Sequence, residues 1–190
     1  MANDLKSSAV RRKSNVQKDV LDYTEDDRIE DVEICAKCKG RCCKNAPCHY
    51  SPDDFKNLSY RALKSIIARK KYISIVRIKL DFNIDNFFTK EYYYVLRIRR
   101  KDTPIAVDMD QKYKDKRCML LKKDGCVLPY EKRPKGARML VPRQNSKCIQ
   151  LYNLRECVRD WLPYQSVLRK LYRHFNRKFL IQNLFYQSEI

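Results

Sequence analysis

Nine cysteines occur in this chain, and five of them fall within Cys35-Ala-Lys-Cys38-Lys-Gly-Arg-Cys42-Cys43-Lys-Asn-Ala-Pro-Cys48. Thiolate sulfur is a soft donor that suits zinc, iron and iron–sulfur clusters. A two-residue gap, as between Cys35 and Cys38, lets one turn of backbone aim two sulfurs at one ion. The spacing therefore predicts a metal site. Adjacent Cys42 and Cys43 cannot both reach one tetrahedral ion without backbone strain, so they suit two ions or two corners of a cluster. Soft all-sulfur coordination does not separate zinc from iron. His49, beside Cys48, offers a nitrogen donor that the neighbouring thiols make unnecessary.

A second group follows downstream. In Cys118-Met-Leu-Leu-Lys-Lys-Asp-Gly-Cys126-Val-Leu-Pro-Tyr130-Glu-Lys-Arg133-Pro134, two thiols flank a glycine-turned hairpin and precede a Tyr-x-x-Arg-Pro corner. Taken with the Cys-x-x-Cys-x-x-x-Cys-Cys run, this pattern resembles the YkgJ-like zinc- or iron-chelating cysteine-cluster proteins, over about residues 35 to 142. The resemblance implies a thiolate-rich centre holding zinc or iron, the iron as an ion or in an iron–sulfur cluster. The family pattern falls on Cys35, Cys38, Cys42, Cys43, Cys118, Cys126, Arg133 and Pro134. The cysteine that the family carries three residues after that proline is Ala137 here, before Arg138, and Cys48, Cys148 and Cys157 are the candidates to replace it. Arg133 is expected to donate to a sulfur or carbonyl behind the ligands, with Tyr130 packed nearby. A related cluster accompanies flagellin lysine N-methylases, but nothing here resembles a methyl-donor pocket, so that activity does not transfer.

A disulfide framework is the competing use of so many cysteines. The count is odd, and 190 residues bury a core without staples. Residues 2 to 30 are polar and charged, with no apolar stretch after Met1, so the expectation is a cytoplasmic protein with no signal peptide and no transmembrane segment, kept in a reducing compartment. Only three glycines occur, Gly40, Gly125 and Gly136, and they are isolated, which excludes a glycine-rich phosphate cradle or dinucleotide turn.

The formal net charge is +19, and its placement matters more than its size. Residues 1 to 30 are nearly balanced, with six basic against seven acidic groups, so the basic excess belongs to residues 31 to 190. Part of it offsets thiolates, because Lys37, Lys39, Arg41 and Lys44 stand between the cysteines and Arg117 precedes Cys118. It also admits nucleic acid as a partner, since clustered Lys and Arg release counterions from phosphates.

The elements that position these groups read as one α+β domain. Residues 1 to 30, poor in large apolar side chains, are expected to be a disordered tail, and 31 to 190 the metal-binding domain. Ser51-Pro52-Asp53-Asp54 is a helix-start signature, with one helix, or two separated near Leu58 and Ser59, carrying Leu63, Ile66 and Ile67 as far as about Lys70. Val76, Ile78, Leu80 and Phe82 alternate with polar residues, as do Tyr92 to Arg99, and Ile105 to Asp108 completes a short antiparallel sheet. A sheet face with Tyr93, Arg97 and Arg99 beside Arg77 and Lys79 would stack on bases and grip phosphates. After Trp161-Leu162-Pro163, a basic amphipathic helix carries Val167, Leu168, Leu171 and Phe175.

Three functions fit this reading: a metal-binding protein with a structural or metal-handling role, a nucleic-acid-binding protein on a metal-stabilised scaffold, and an iron–sulfur redox enzyme. The open position left by Ala137 is the feature that favours the enzyme. No Ser/His/Asp set or paired carboxylate supports hydrolysis.

Overall fold

The computed structural model describes residues 32–45, 48–80, 92–110, 117–123, 125–143 and 148–187. The expected N-terminal tail, residues 1 to 30, lies outside that set. Two short helices come first, α1 (Val32–Cys38) and α2 (Arg41–Asn45). Lys39 and Gly40 between them both have positive φ, 50° and 68°, which ends one helix and turns the chain into the next.

Ser51 then opens a single 3-10 turn over Pro52–Asp54, closed by a reciprocal capping box with Asp54. The helix proper, α3 (Tyr60–Arg69), starts at a second cap, Ser59. Of the two expected arrangements the chain takes the separated one, and Leu63 and Ile67 are fully buried.

The central sheet holds β1 (Ile73–Lys79), β2 (Tyr92–Ile98) and β3 (Ala106–Asp108) in the order β2-β1-β3. The β1 and β2 strands are antiparallel with Ile73 opposite Ile98 and Arg77 opposite Tyr94. The third strand corrects the expectation of an all-antiparallel sheet, because β3 runs parallel to β1. The reason lies at the other edge of β2. Residues 48–50 pair there, with Ile98 N–H donating to the Cys48 carbonyl and Tyr50 N–H to the Leu96 carbonyl, both at 2.9 Å. Further along, the Gln165 side-chain amide accepts from Tyr94 N–H at 2.8 Å and donates to the Tyr94 carbonyl at 2.9 Å. With that edge filled, β3 crosses to the free side of β1.

Two small hairpins follow, β4 (Leu121–Lys122) with β5 (Gly125–Cys126), and β6 (Leu140–Val141) with β7 (Ile149–Gln150), separated by the short α4 (Lys135–Arg138). The helix α5 (Leu154–Trp161) is capped by Asn153 with Glu156 in a second capping box. The helix α6 (Gln165–Gln187) lies against β1, β2, β3 and α3, with Leu168 and Leu171 fully buried and Phe175 nearly so. Burial of such side chains, each contributing about 1.5–3 kcal/mol, fixes the helix on the sheet. Aromatic rings continue this core: Tyr50 meets Phe55, Phe55 meets Trp161, and Trp161 Nε1 donates to the Tyr50 carbonyl at 2.8 Å. Among the described residues no helix is long and apolar enough to cross a membrane.

Candidate thiol centre

The thiols gather where four separate segments meet beside the end of β2. The segment after β2 turns so that Arg100 bridges Cys118, and Met119 N–H donates to the Arg99 carbonyl at 3.0 Å. Cys118 N–H in turn donates to the Cys43 carbonyl at 2.7 Å, joining α2 to the second cysteine group. The turn at Gly40 is pressed onto the β4–β5 hairpin: a methyl group there would stand 2.5 Å from Leu121 Cδ1. In that hairpin Leu121 faces Cys126. The segment at Gly40 and Cys43 is therefore joined to residues 118–126 by backbone and side-chain contact.

Cys118, 7% exposed, forms a side-chain hydrogen bond with Cys43 and feels the sulfurs of Cys48 and Cys126. The bond from Cys43, helped by the Leu120 backbone, outweighs burial and holds the Cys118 thiol below its ordinary range. Burial raises the Tyr50 hydroxyl, and nearby Tyr72 and Asp54, then Cys118 and Cys126, add to that rise. Cys38, Cys118, Cys126, Cys148 and Cys157 form no disulfide. Lys37, Lys39, Arg41, Lys44 and Arg117 are exposed.

The remaining cysteines divide. Cys38 ends α1 and Cys148 precedes β7, both half-buried. The side chains of Cys35 and Cys42 lie outside the described residues. Cys157 belongs to the core of α5: fully buried, it donates to the Tyr50 carbonyl at 3.5 Å, and burial pushes its thiol up to about 12. A thiol held protonated in that way is a poor ligand compared with Cys118. Among the described residues, no three His, Cys, Asp or Glu side chains are set as the ligands of one ion. Cys43, Cys48, Cys118 and Cys126 offer the thiolate chemistry that suits zinc or iron, without three of them set around one point.

His49 takes the other face. In an extended segment alternate side chains point oppositely, so His49, opposite Arg97, lies across the strand from Cys48 and Tyr50. It is 8% exposed, its Nδ1 has no hydrogen-bond partner among the described residues, and burial followed by the Arg97 charge pulls its imidazole down to about 4.

A buried carboxylate supports the centre from behind. Asp54 accepts from Ser51 N–H, Lys135 N–H and Arg138 Nη1, each at 2.9 Å. Arg138 also donates to the Arg133 carbonyl, and Tyr130 donates to the Arg138 carbonyl at 3.1 Å. Arg133 Nε donates to the Leu128 carbonyl at 3.0 Å. The corner is thereby locked, and Gly136 N–H donates to the His49 carbonyl at 3.1 Å. A methyl group at Gly136 would meet His49 backbone atoms at 2.9 and 3.0 Å, so the close approach requires glycine. Ala137, where the family pattern has its cysteine, is the next residue of α4. Asp54, Gly136 and Arg138 were not among the expected site residues. The capping box at Ser51 and the placement of Gly136 just after Pro134 were their signals.

The arginine face is corrected. The register that sets Arg77 against Tyr94 and Ser74 against Arg97 puts Arg77 and Arg97 on opposite faces of the sheet. Arg77 is bound by Asp108 through Nε at 2.7 Å and Nη2 at 2.8 Å, and lies over the rings of Tyr92 and Tyr172. Arg97 is 3% exposed and Arg99 is half-buried. These three do not form one solvent-facing row for phosphates.

No family model, curated protein or solved structure matches this chain.

Proposed function

We propose that this chain is a cysteine-cluster metal-binding protein with a structural or metal-handling role, taking zinc or iron through thiolates. The observation that carries this reading is the gathering of Cys43, Cys48, Cys118 and Cys126, from four segments, around one contact between α2 and the β4–β5 hairpin. Cys35, Cys38, Cys42 and Cys148 are the further candidate donors, and Cys157 stays with the core. When bound, zinc or iron would neutralise the thiolates and cross-link these segments. Structural zinc in small domains contributes on the order of 10 kcal/mol to folding. The chain's own residues supply the rest. The Leu120 backbone favours the Cys118 thiolate, the basic side chains around the thiols offset its charge, and the Asp54–Arg138 lock holds α4 against the Cys48–His49 strand.

Elemental analysis with an ultraviolet–visible spectrum, on protein purified without oxygen, tests the reading. About two zinc ions per colourless chain, at four thiolates each, would support a structural scaffold. Iron with acid-labile sulfide and a brown colour would support the cluster form and turn attention to electron transfer or catalysis. Protein that holds neither metal, and binds neither when supplied, overturns the proposal.

A further inference from the structure

Helices α3 and α6 lie against each other, each with its apolar stripe turned to the core and its opposite face in water. On α3 and its C-cap, Arg61, Arg69 and Lys70 are exposed, and on α6 so are Arg169, Arg173 and Arg177. The last three recur every fourth residue, about 6 Å per step along one side of the helix. Nothing acidic interrupts either row, because residues 55 to 80 and 161 to 187 contain no Asp or Glu. Among the described residues none of these six cations takes part in an ion pair: the paired carboxylates, Asp53, Asp54, Asp108 and Asp160, hold Arg77, Lys135 and Arg138 instead. Like charges gathered without counterions from the protein itself repel one another, and a bound polyanion relieves that repulsion.

We infer that this two-helix face binds double-stranded nucleic acid through its phosphates, without reading base sequence. A duplex carries one negative charge per about 1.7 Å of its axis. The 10 residues of α3, about 15 Å of helix, therefore lie alongside several phosphates. The makeup of the face selects the duplex among polyanions. Helices that lie on a bilayer bury large apolar side chains among the lipids, and interfaces with proteins centre on an aromatic or aliphatic anchor. From Tyr60 to Arg69 and from Gln165 to Arg177 no large apolar side chain is exposed. Single strands are held by stacking bases on aromatic rings, and those same stretches expose no ring either. What they offer is cationic contact with phosphate, the sequence-independent part of duplex recognition. This surface is separate from Arg77, Arg97 and Arg99 and uses no thiol, so it stands apart from the metal reading.

The full chain is titrated into fluorescein-labelled duplex DNA and duplex RNA of about 20 base pairs, two helical turns, in about 50 to 200 mM salt, with phosphatidylserine vesicles in parallel. Binding of either duplex agrees with the assignment. With about four to six phosphates contacted, log K on DNA is expected to fall against log salt with a slope of about −4 to −5. Arg169→Gln, Arg173→Gln and Arg177→Gln together should flatten that slope by about three and weaken binding by about tenfold or more at the lower salt. Arg61→Gln, Arg69→Gln and Lys70→Gln together should do the same. Lys101→Gln, Lys122→Gln and Lys123→Gln remove as much charge from exposed positions elsewhere and should change affinity by about twofold at most. Thermal melting of each variant checks the fold, and where a triple variant melts lower, Arg173→Gln alone, with its slope flatter by about one, takes its place. No binding to either duplex, vesicle binding without duplex binding, or an α6 triple variant that loses no more than the Lys101, Lys122 and Lys123 variant would each overturn the assignment.

Discussion

Asp54 offers the sharpest test of how the fold holds the thiol centre. Its side chain is 5% exposed and accepts three hydrogen bonds, from Ser51 N–H and Lys135 N–H at Oδ2 and from Arg138 Nη1 at Oδ1. Hydrogen bonds to a charged group contribute about 1.5–3 kcal/mol each and do not add in full. Removing one partner of a buried ion pair costs about 3–5 kcal/mol. Arg138 is 29% exposed and keeps the Arg133 carbonyl, so water and that carbonyl recover part of the loss. Asp54→Ala is therefore expected to lose about 3 kcal/mol, near the lower end of the buried-pair range. At about 2–4 °C per kcal/mol for a chain of this size, the melting temperature should fall by about 6–12 °C. Urea unfolding followed by far-ultraviolet circular dichroism would measure it, in Asp54→Ala, Arg138→Met and the double variant at matched metal content. The cycle should return about 1–2 kcal/mol of coupling between the two side chains. Because Asp54 also fixes the α4 backbone that carries Gly136 to His49, Asp54→Ala should speed alkylation of Cys48. A loss below about 1 kcal/mol, within the range of an exposed pair, would refute the reasoning.

Gly40→Ala forces a Cβ against Leu121 and strains a positive φ, so it should cost about 1–3 kcal/mol and loosen α2 from the hairpin, read as faster alkylation of Cys43. Arg77→Lys keeps the charge but loses the two-pronged contact with Asp108, and a fall of about 1 kcal/mol in urea unfolding is expected. Cys157 should be the slowest described thiol to react with iodoacetamide at neutral pH, well behind Cys43 and Cys126, and equal rates would contradict its burial. Its raised thiol also fixes the sign of an alkaline effect. The folded chain holds that proton more tightly than the unfolded chain, so its contribution is complete below the ordinary thiol range and is lost as pH rises toward 12. Tyr50 and Tyr152, raised in the same core, add to that loss at higher pH. Circular dichroism from pH 8 to 12 should show Cys157→Ala retaining more of its stability than the wild type.

Strands β1 and β2 were legible because apolar residues recur at alternate positions in both seven-residue runs, although the sheet proves covered on both faces, and α6 because Leu168, Leu171 and Phe175 recur at helical spacing. The course of β3 was not, since it depends on Cys48 to Tyr50 occupying the far edge of β2, a pairing between distant segments that local pattern does not encode. The helices α1 and α2 were missed because residues 32–45 carry too few large apolar side chains to set a helical period. The helix α5 had a usable mark in Asn153 and Glu156, three residues apart. At the site, spacing singled out Cys43, Cys118 and Cys126, and the hairpin at Gly125 formed as read. Spacing could not separate Cys157 from them, because a buried structural thiol and a ligand thiol are the same residue and differ only in surroundings. The arginine face failed on register, as one position decides which side of a sheet a residue faces.

The filled edge of β2 bears on the order in which this chain folds. Residues 48–50 reach it from before β1, and Gln165, 71 positions beyond Tyr94, reaches it from the far end of the chain. Such long-range closures come late and slow the search, so during synthesis the strand stays open on that side until the segment bearing Gln165 has emerged. A chain cut before residue 165 would leave the edge at Tyr94 bare, and a bare edge invites pairing with a second molecule. The amide of one glutamine thus closes, in the finished fold, the stretch of edge that the earlier segments leave open.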